Sequence, residues 1–172
     1  MRVNKWLPVP GRKRQLKRSC LVADDTLIYL IGGFNTSQSD DDEGRFAQAY
    51  DPRSPAWLRL PNSWHYYTSR SSSCAINGKI YISNGLQLET FDHVAGTWQT
   101  ICKKTENRVD LRDLSCVTSY ENKLYIFGRA SNTNDPFVNF VTYNPTSRMF
   151  SSPVPINGVQ PSNFECIVFK SL

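Results

Sequence analysis

One pattern recurs three times along this chain and leaves few folds open to it. Each copy is an apolar run, a polar turn, a second apolar run centred on a tyrosine, and a glycine stop. The first copy runs from Ser19-Cys20 through Asp24-Asp25 and Tyr29 to Gly32-Gly33. The second runs from Ser73-Cys74 through Asn77-Gly78 and Tyr81 to Asn84-Gly85. The third runs from Ser115-Cys116 through Glu121-Asn122 and Tyr125 to Gly128-Arg129. Asn-Gly between alternating apolar residues is a strong hairpin signal, because a type I′ turn needs positive φ at both central positions. The other two turns read as two residues longer.

After each glycine comes a second block: Tyr50-Asp51-Pro52 then Trp57, Phe91-Asp92-His93 then Trp98, and Tyr143-Asn144-Pro145 then Phe150. An aromatic, an Asp or Asn turn and another aromatic predict a third strand, a tight turn, and a fourth strand whose ring packs between neighbouring sheets. A four-stranded unit returning about every 50 residues is what propeller blades produce. Cys20, Cys74, Cys116 and Cys166 fall on one repeat position and are expected as small buried core residues of a crowded strand.

These residues resemble the kelch repeat, in which a hairpin ends in Gly-Gly and is followed by a Tyr-Asp-Pro turn and a Trp. Gly32-Gly33 matches in full, the later two copies in part. The resemblance implies an all-β, kelch-type β-propeller with about three complete four-stranded blades plus partial flanking strands, hence an incomplete propeller. The expected division is a preceding strand and linker over 1–15, blades over 16–61, 62–104 and 105–155, and a closing first strand over 156–172. In BTB–kelch proteins such a lone C-terminal strand completes the first blade. The chain is therefore expected to be the C-terminal half of a longer propeller, with further blades and an oligomerisation module upstream. A shortened protein, like the viral kelch-like ones, would instead have to close by self-association or by pairing with another propeller fragment.

Composition narrows the function. Hydrophobic residues make up 40% and charged residues 20% of the 172, a globular balance. No stretch approaches the roughly 20 apolar residues of a membrane helix, and the start lacks the apolar core of a signal peptide. The expectation is a cytoplasmic protein, with cytoskeletal or nuclear placement as alternatives, and no membrane partner. Five Cys without a CxxC pair suggest neither a disulfide framework nor a zinc ribbon. Much of the net charge of +5 sits at 12–18, too narrow for the basic face of a nucleic-acid reader. His65 and His93 lack metal-ligand spacing, and His93 is expected as a solvated turn residue. No phosphate loop, GxSxG elbow or HExxH is present. No catalytic residue, metal or cofactor is expected, and the chain is read as not an enzyme. Copper oxidases similar to galactose oxidase share the fold but need more histidines than this chain carries.

Candidate contact residues come from the resemblance. In peptide-binding kelch proteins, rim residues start the first strand of each blade or follow the Gly-Gly. The first set here is Arg70, Arg112 and Ser162, with Lys17 and Arg18 beside the equivalent Leu16. The second is Phe34, Asn35, Leu86, Gln87, Arg129 and Asn132. Arginines there can fork onto carboxylates, so the expected partner is a protein or an extended acidic peptide. Arg70 and Arg112 could equally pair with loop acids such as Asp113. Cys102, beside Lys103 and Lys104, is the candidate reactive thiol. The BTB–kelch resemblance implies a substrate-recognition propeller of an adaptor for a cullin-type ubiquitin ligase. The alternative is a cytoskeletal, actin-binding or scaffold kelch protein.

Overall fold

The computed structural model describes residues 16–17, 19–35, 45–54, 56–63, 71–84, 87–103, 116–129 and 138–156, and every regular element among them is a β-strand. The strands form three antiparallel meanders. The first sheet holds β2 (Cys20–Ala23), β3 (Ile28–Ile31), β5 (Ala47–Asp51) and β6 (Ala56–Arg59), hydrogen-bonded in that order. The second holds β7 (Ser72–Ile76), β8 (Lys79–Ser83), β9 (Gln87–Asp92) and β10 (Thr97–Lys103). The third holds β11 (Cys116–Tyr120), β12 (Lys123–Arg129), β13 (Val138–Asn144) and β14 (Met149–Phe150), with β15 (Val154–Ile156) further along the same edge of β13. Ser151 bridges the break between β14 and β15. Its N–H donates to the Thr142 carbonyl, and its hydroxyl accepts from the Thr142 N–H, both at 2.9 Å.

The hairpin turns carry the backbone that the residues favour. Asn77-Gly78 has φ of 49° and 71°, the type I′ signature. Glu121-Asn122 has φ of 47° and 57° and is just as tight, since Tyr120 pairs directly with Lys123. The expectation of a longer turn there is corrected: the extra residues lengthen the strands. The first sheet does have the longer loop. Asp24 closes it by accepting from the N–H groups of Thr26 (2.7 Å) and Leu27 (2.8 Å) and from the Thr26 hydroxyl (2.8 Å). Such Asx closure is why Asp favours turns.

Strand alternation sorts side chains onto two faces, and each sheet uses both. One face of the first sheet (Val22, Tyr29, Ile31, Ala47, Ala49) packs against Ile80, Ile82, Phe91 and Trp98 of the second. The other face of the second sheet (Cys74, Ile76, Tyr81, Leu88, Cys102) packs against Val117, Leu124, Ile126, Val141 and Tyr143 of the third. The same aromatic pair recurs on one face of each sheet, the face that in the second and third is turned to the preceding sheet: Tyr50–Trp57 at 5.3 Å, Phe91–Trp98 at 4.9 Å and Tyr143–Phe150 at 4.7 Å between ring centres. Tyr29, Tyr81 and Tyr125 recur on the opposite face. Trp98 and Phe150 thus fill the expected place between sheets, whereas Trp57 lies half-buried on Tyr50.

The first strands of the sheets adjoin one another, β2 beside β7 and β7 beside β11, so they are innermost in the fan. Small polar side chains stitch them together. The Cys20 Sγ and Ser73 Oγ are 2.9 Å apart, the Ser72 hydroxyl accepts from the Val117 N–H at 2.9 Å, and the Ser119 hydroxyl donates to the Ala75 carbonyl at 3.2 Å. Cys20, Cys74 and Cys116 are all buried on these strands, the packing role expected of them. Burial, with the neighbouring Cys116, pushes the Cys74 thiol up to about 12. The fold is an all-β, kelch-like propeller that is open. The strands expected before residue 15 and after residue 157, Cys166 included, lie outside the described residues.

Candidate functional site

Meander topology gives the fan two unlike ends. At one end lie the hairpin turns within each sheet, short and closed by their own hydrogen bonds. The Tyr29 hydroxyl donates to Asp24 Oδ2 at 2.9 Å, and the His93 Nδ1–H donates to the Gly78 carbonyl at 2.6 Å. His93 is therefore engaged with its own sheet rather than simply solvated, and its Nδ1 stands 4.0 Å from Asp24 of the neighbouring sheet. At the other end lie the connections between second and third strands and between sheets, where loops differ most in length. That end is the candidate binding rim.

Here β1 (Leu16–Lys17) pairs with β4 (Phe34–Asn35), Leu16 opposite Asn35 and Lys17 opposite Phe34. This ribbon prolongs the β2–β3 hairpin beyond Gly32-Gly33, whose φ of 70° and 93° lets the chain bend there. Members of the two expected rim sets, Lys17 from one and Phe34 and Asn35 from the other, thus come together. Arg129 ends β12 opposite Val138. Gln87 begins β9, and its N–H donates to Asn84 Oδ1 at 3.2 Å, but its side chain is buried. It lies under the rim, not on it. Arg18, Arg70, Leu86, Arg112, Asn132 and Ser162 lie outside the described residues, as do His65 and Asp113.

Beneath the rim the structure holds a feature that the sequence reading missed. Glu89, on β9, is fully buried between the first and second sheets. The Ser63 hydroxyl, from the segment after β6, donates to its Oε2 at 3.1 Å, and the Thr100 hydroxyl donates to its Oε1 at 3.3 Å. The Ser63 N–H donates to the Arg45 carbonyl at 3.0 Å, which fixes the ends of two rim loops together. A buried carboxylate persists only when donors satisfy it. Alternation could have shown it: in Gln87-Leu88-Glu89-Thr90-Phe91, Glu89 shares a face with Phe91, which must be inside.

Cys102 is corrected. It is 4% exposed, pairs with Leu88 and packs in the core between the second and third sheets. A β-bulge between Thr100 and Cys102 shifts the register and places the thiol in the core. Among the described residues no group of three or more His, Cys, Asp or Glu could hold a metal ion.

Comparisons with known proteins agree with this architecture. No family profile matches the chain. It is 33% identical to one F-box/kelch-repeat protein of Arabidopsis thaliana over 48% of the chain and 24% of that protein. It is 26% identical to a second over 80% of the chain and 36% of that protein. The chain thus spans between a quarter and about a third of these relatives. Among solved structures it superposes on YjhT with a TM-score of 0.64 at 13% identity, covering 89% of this chain and 56% of the other. Three repeats, three stacked meanders and these likenesses together make the chain similar to kelch-repeat proteins and its fold an incomplete kelch-type β-propeller.

Proposed function

We propose that the chain is a protein-interaction module that captures an extended acidic segment on its loop-bearing rim and catalyses nothing. One observation carries the reading. The β1–β4 ribbon gathers Lys17, Phe34 and Asn35 at the end of the fan where loop lengths vary, over a framework whose opposite end is closed by tight turns. Rigid strands presenting variable loops are the usual basis of a binding face. Arg18, Arg70, Arg112 and Arg129 add the positive charge, with Leu86, Asn132 and Ser162 beside them. The division into blades over 16–61, 62–104 and 105–155 belongs to the same reading.

In the wider protein this module acts as the substrate-recognition propeller of a ubiquitin-ligase adaptor. The kelch repeats support that role, and the F-box in the names of the two relatives supports the ligase connection. The BTB–kelch, cullin-linked form of the adaptor is the version proposed, acting in the cytoplasm.

The test is binding of a short fluorescein-labelled peptide rich in Asp and Glu, followed by anisotropy at low and at physiological salt. The R70E/R112E double variant should bind at least about tenfold more weakly, roughly 1.4 kcal/mol, with its melting midpoint unchanged. Undiminished binding, or a matching loss of fold stability, would overturn the assignment.

A further inference from the structure

The carboxylate beneath the rim stands where the repeat does not require a charge. Two residues before the aromatic of each third strand come Gln48, Glu89 and Val141, all buried. A valine fills the position in the third sheet, so packing there is satisfied by an apolar side chain. Burying a carboxylate instead costs free energy that its donors must offset. The second sheet carries that cost.

The donors show what the charge does. Glu89 is the third residue of β9, just inside the connection from β8. Ser63 follows β6, where the chain leaves the first sheet for the second. Its hydroxyl donates to Glu89 Oε2 at 3.1 Å, and its N–H donates to the Arg45 carbonyl at 3.0 Å. Arg45 lies two residues before β5, where the connection from β4 returns to the first sheet. The roots of three rim connections therefore meet at one serine, which is 3% exposed. Backbone bonds continue from this node: the Leu60 N–H donates to the Ala47 carbonyl at 3.0 Å, and the Gly32 N–H to the Phe46 carbonyl at 2.7 Å. The second donor to Glu89 differs in place. Thr100 donates to Oε1 at 3.3 Å from the middle of β10, away from the connections.

We infer that Ser63, through Glu89, is a positioning residue of the rim, holding three connections in the one arrangement that captures a partner. A binding face keeps its geometry when buried hydrogen bonds lock the residues that support it. Bonds to a charged acceptor are the stronger kind, which suits a joint between segments of unlike length. The effect on capture rests on the rim being the binding face, whereas the effect on the rim itself does not.

Ser63→Ala and Thr100→Val each take one hydroxyl donor from the same carboxylate, so a role limited to satisfying Glu89 gives them equal effects. Amide hydrogen exchange read by NMR separates the two cases. In S63A the amides of Gly32, Leu60 and Gln87, at the rim roots, should exchange at least about fivefold faster, the order expected of one hydrogen bond. Gly96, whose N–H donates to the Asp92 carbonyl on a tight turn at the opposite end, should keep its rate. T100V should leave all four amides at wild-type rates, as should Ser63→Thr, which retains the hydroxyl. The labelled acidic peptide, measured well below the melting midpoint, should be released about fivefold faster by S63A, with its association rate unchanged because no charge is lost. Exchange that quickens as much at Gly96, or as much in T100V, overturns the positioning role. So does an S63A rim that exchanges at the wild-type rate, or one that loosens yet holds the peptide as tightly as before. A wild-type chain that ignores the peptide, with S63A loosening the rim roots alone, overturns the binding reading and upholds the positioning of the rim.

Discussion

The indole N–H of Trp98 donates to the backbone carbonyl of Pro61 at 2.9 Å, from the outer strand of the second sheet to the segment leaving the first. The same ring packs on Phe91 with centres 4.9 Å apart. One side chain thus supplies both the apolar contact and the polar latch between sheets. The two contributions separate by substitution. Trp98→Phe keeps the stacking and orphans the carbonyl, a loss of about 1 kcal/mol. Trp98→Ala also opens a cavity, a loss of about 3–5 kcal/mol. Urea denaturation of both variants checks the order, and equal losses would mean the hydrogen bond carries the effect.

Gly78 and Gly96 both have left-handed backbone, φ 71° and 65°, but different surroundings. A Cβ on Gly78 would stand 3.1 Å from His93 Cε1, whereas one on Gly96 meets nothing within 4 Å. Gly96→Ala should cost only the conformational term, about 1 kcal/mol. Gly78→Ala should cost more, and the excess should vanish in the G78A/H93A background relative to H93A alone. A double-mutant cycle by thermal denaturation reads this directly.

How far the sequence could be read depends on whether a feature is local. Tyr29, Tyr81 and Tyr125 take equivalent places on successive sheets because the repeat, the alternation and the turn chemistry all agree. The Glu121-Asn122 turn was misjudged because its extra residues relative to Asn77-Gly78 could enter the loop or the strands, and only register decides. Cys102 was read from its lysine neighbours, but a bulge two residues earlier turned it inward, and spacing alone does not show a bulge. Glu89 was legible through its face-sharing with Phe91. Its partner Ser63 was not, since that contact joins residues of different sheets. Of the candidate rim, the Lys17–Phe34 pairing follows from prolonging the hairpin, whereas the burial of Gln87 depends on how neighbouring sheets close over it.

Asp24 and Asp92 are among the carboxylates that make stability depend on acid. For Asp24, burial pushes its pKa up, but donors from Leu27, Thr26 and Tyr29 outweigh it and hold the group below its ordinary range. For Asp92, the Lys79 ammonium at 2.9 Å, with the Ala95 and Val94 amides, holds it down to about 2. Both folded-state values lie below the unfolded ones. The stabilisation is therefore complete above about pH 4 and lost as pH falls towards 2. Urea midpoints measured from pH 5 to pH 2 should drop, and Asp24→Asn should flatten the slope more than Asp92→Asn. Asp92 is half-buried, but the side chain of its partner Lys79 is exposed, and salt screens the pair. A larger effect from D92N would show that the lysine pair outweighs the turn.

The thiols provide the last test, because their burial and ionisation point the same way. Only the thiolate reacts with alkylating agents, and burial raises Cys74 to about 12 and Cys20 above its ordinary value despite the neighbouring Ser73 hydroxyl. At pH 8 both should therefore resist iodoacetamide until the sheets separate. Cys102, although flanked by lysines in sequence, should resist equally, since its sulfur sits in the core between two sheets. Peptide mass mapping after brief labelling, with and without 8 M urea, reads each site separately. Rapid native labelling of Cys102 would make it a reactive thiol after all and place its strand at a surface. Labelling of all the described cysteines only on unfolding, at one common rate, would show that the inner strands and the sheet interfaces open together.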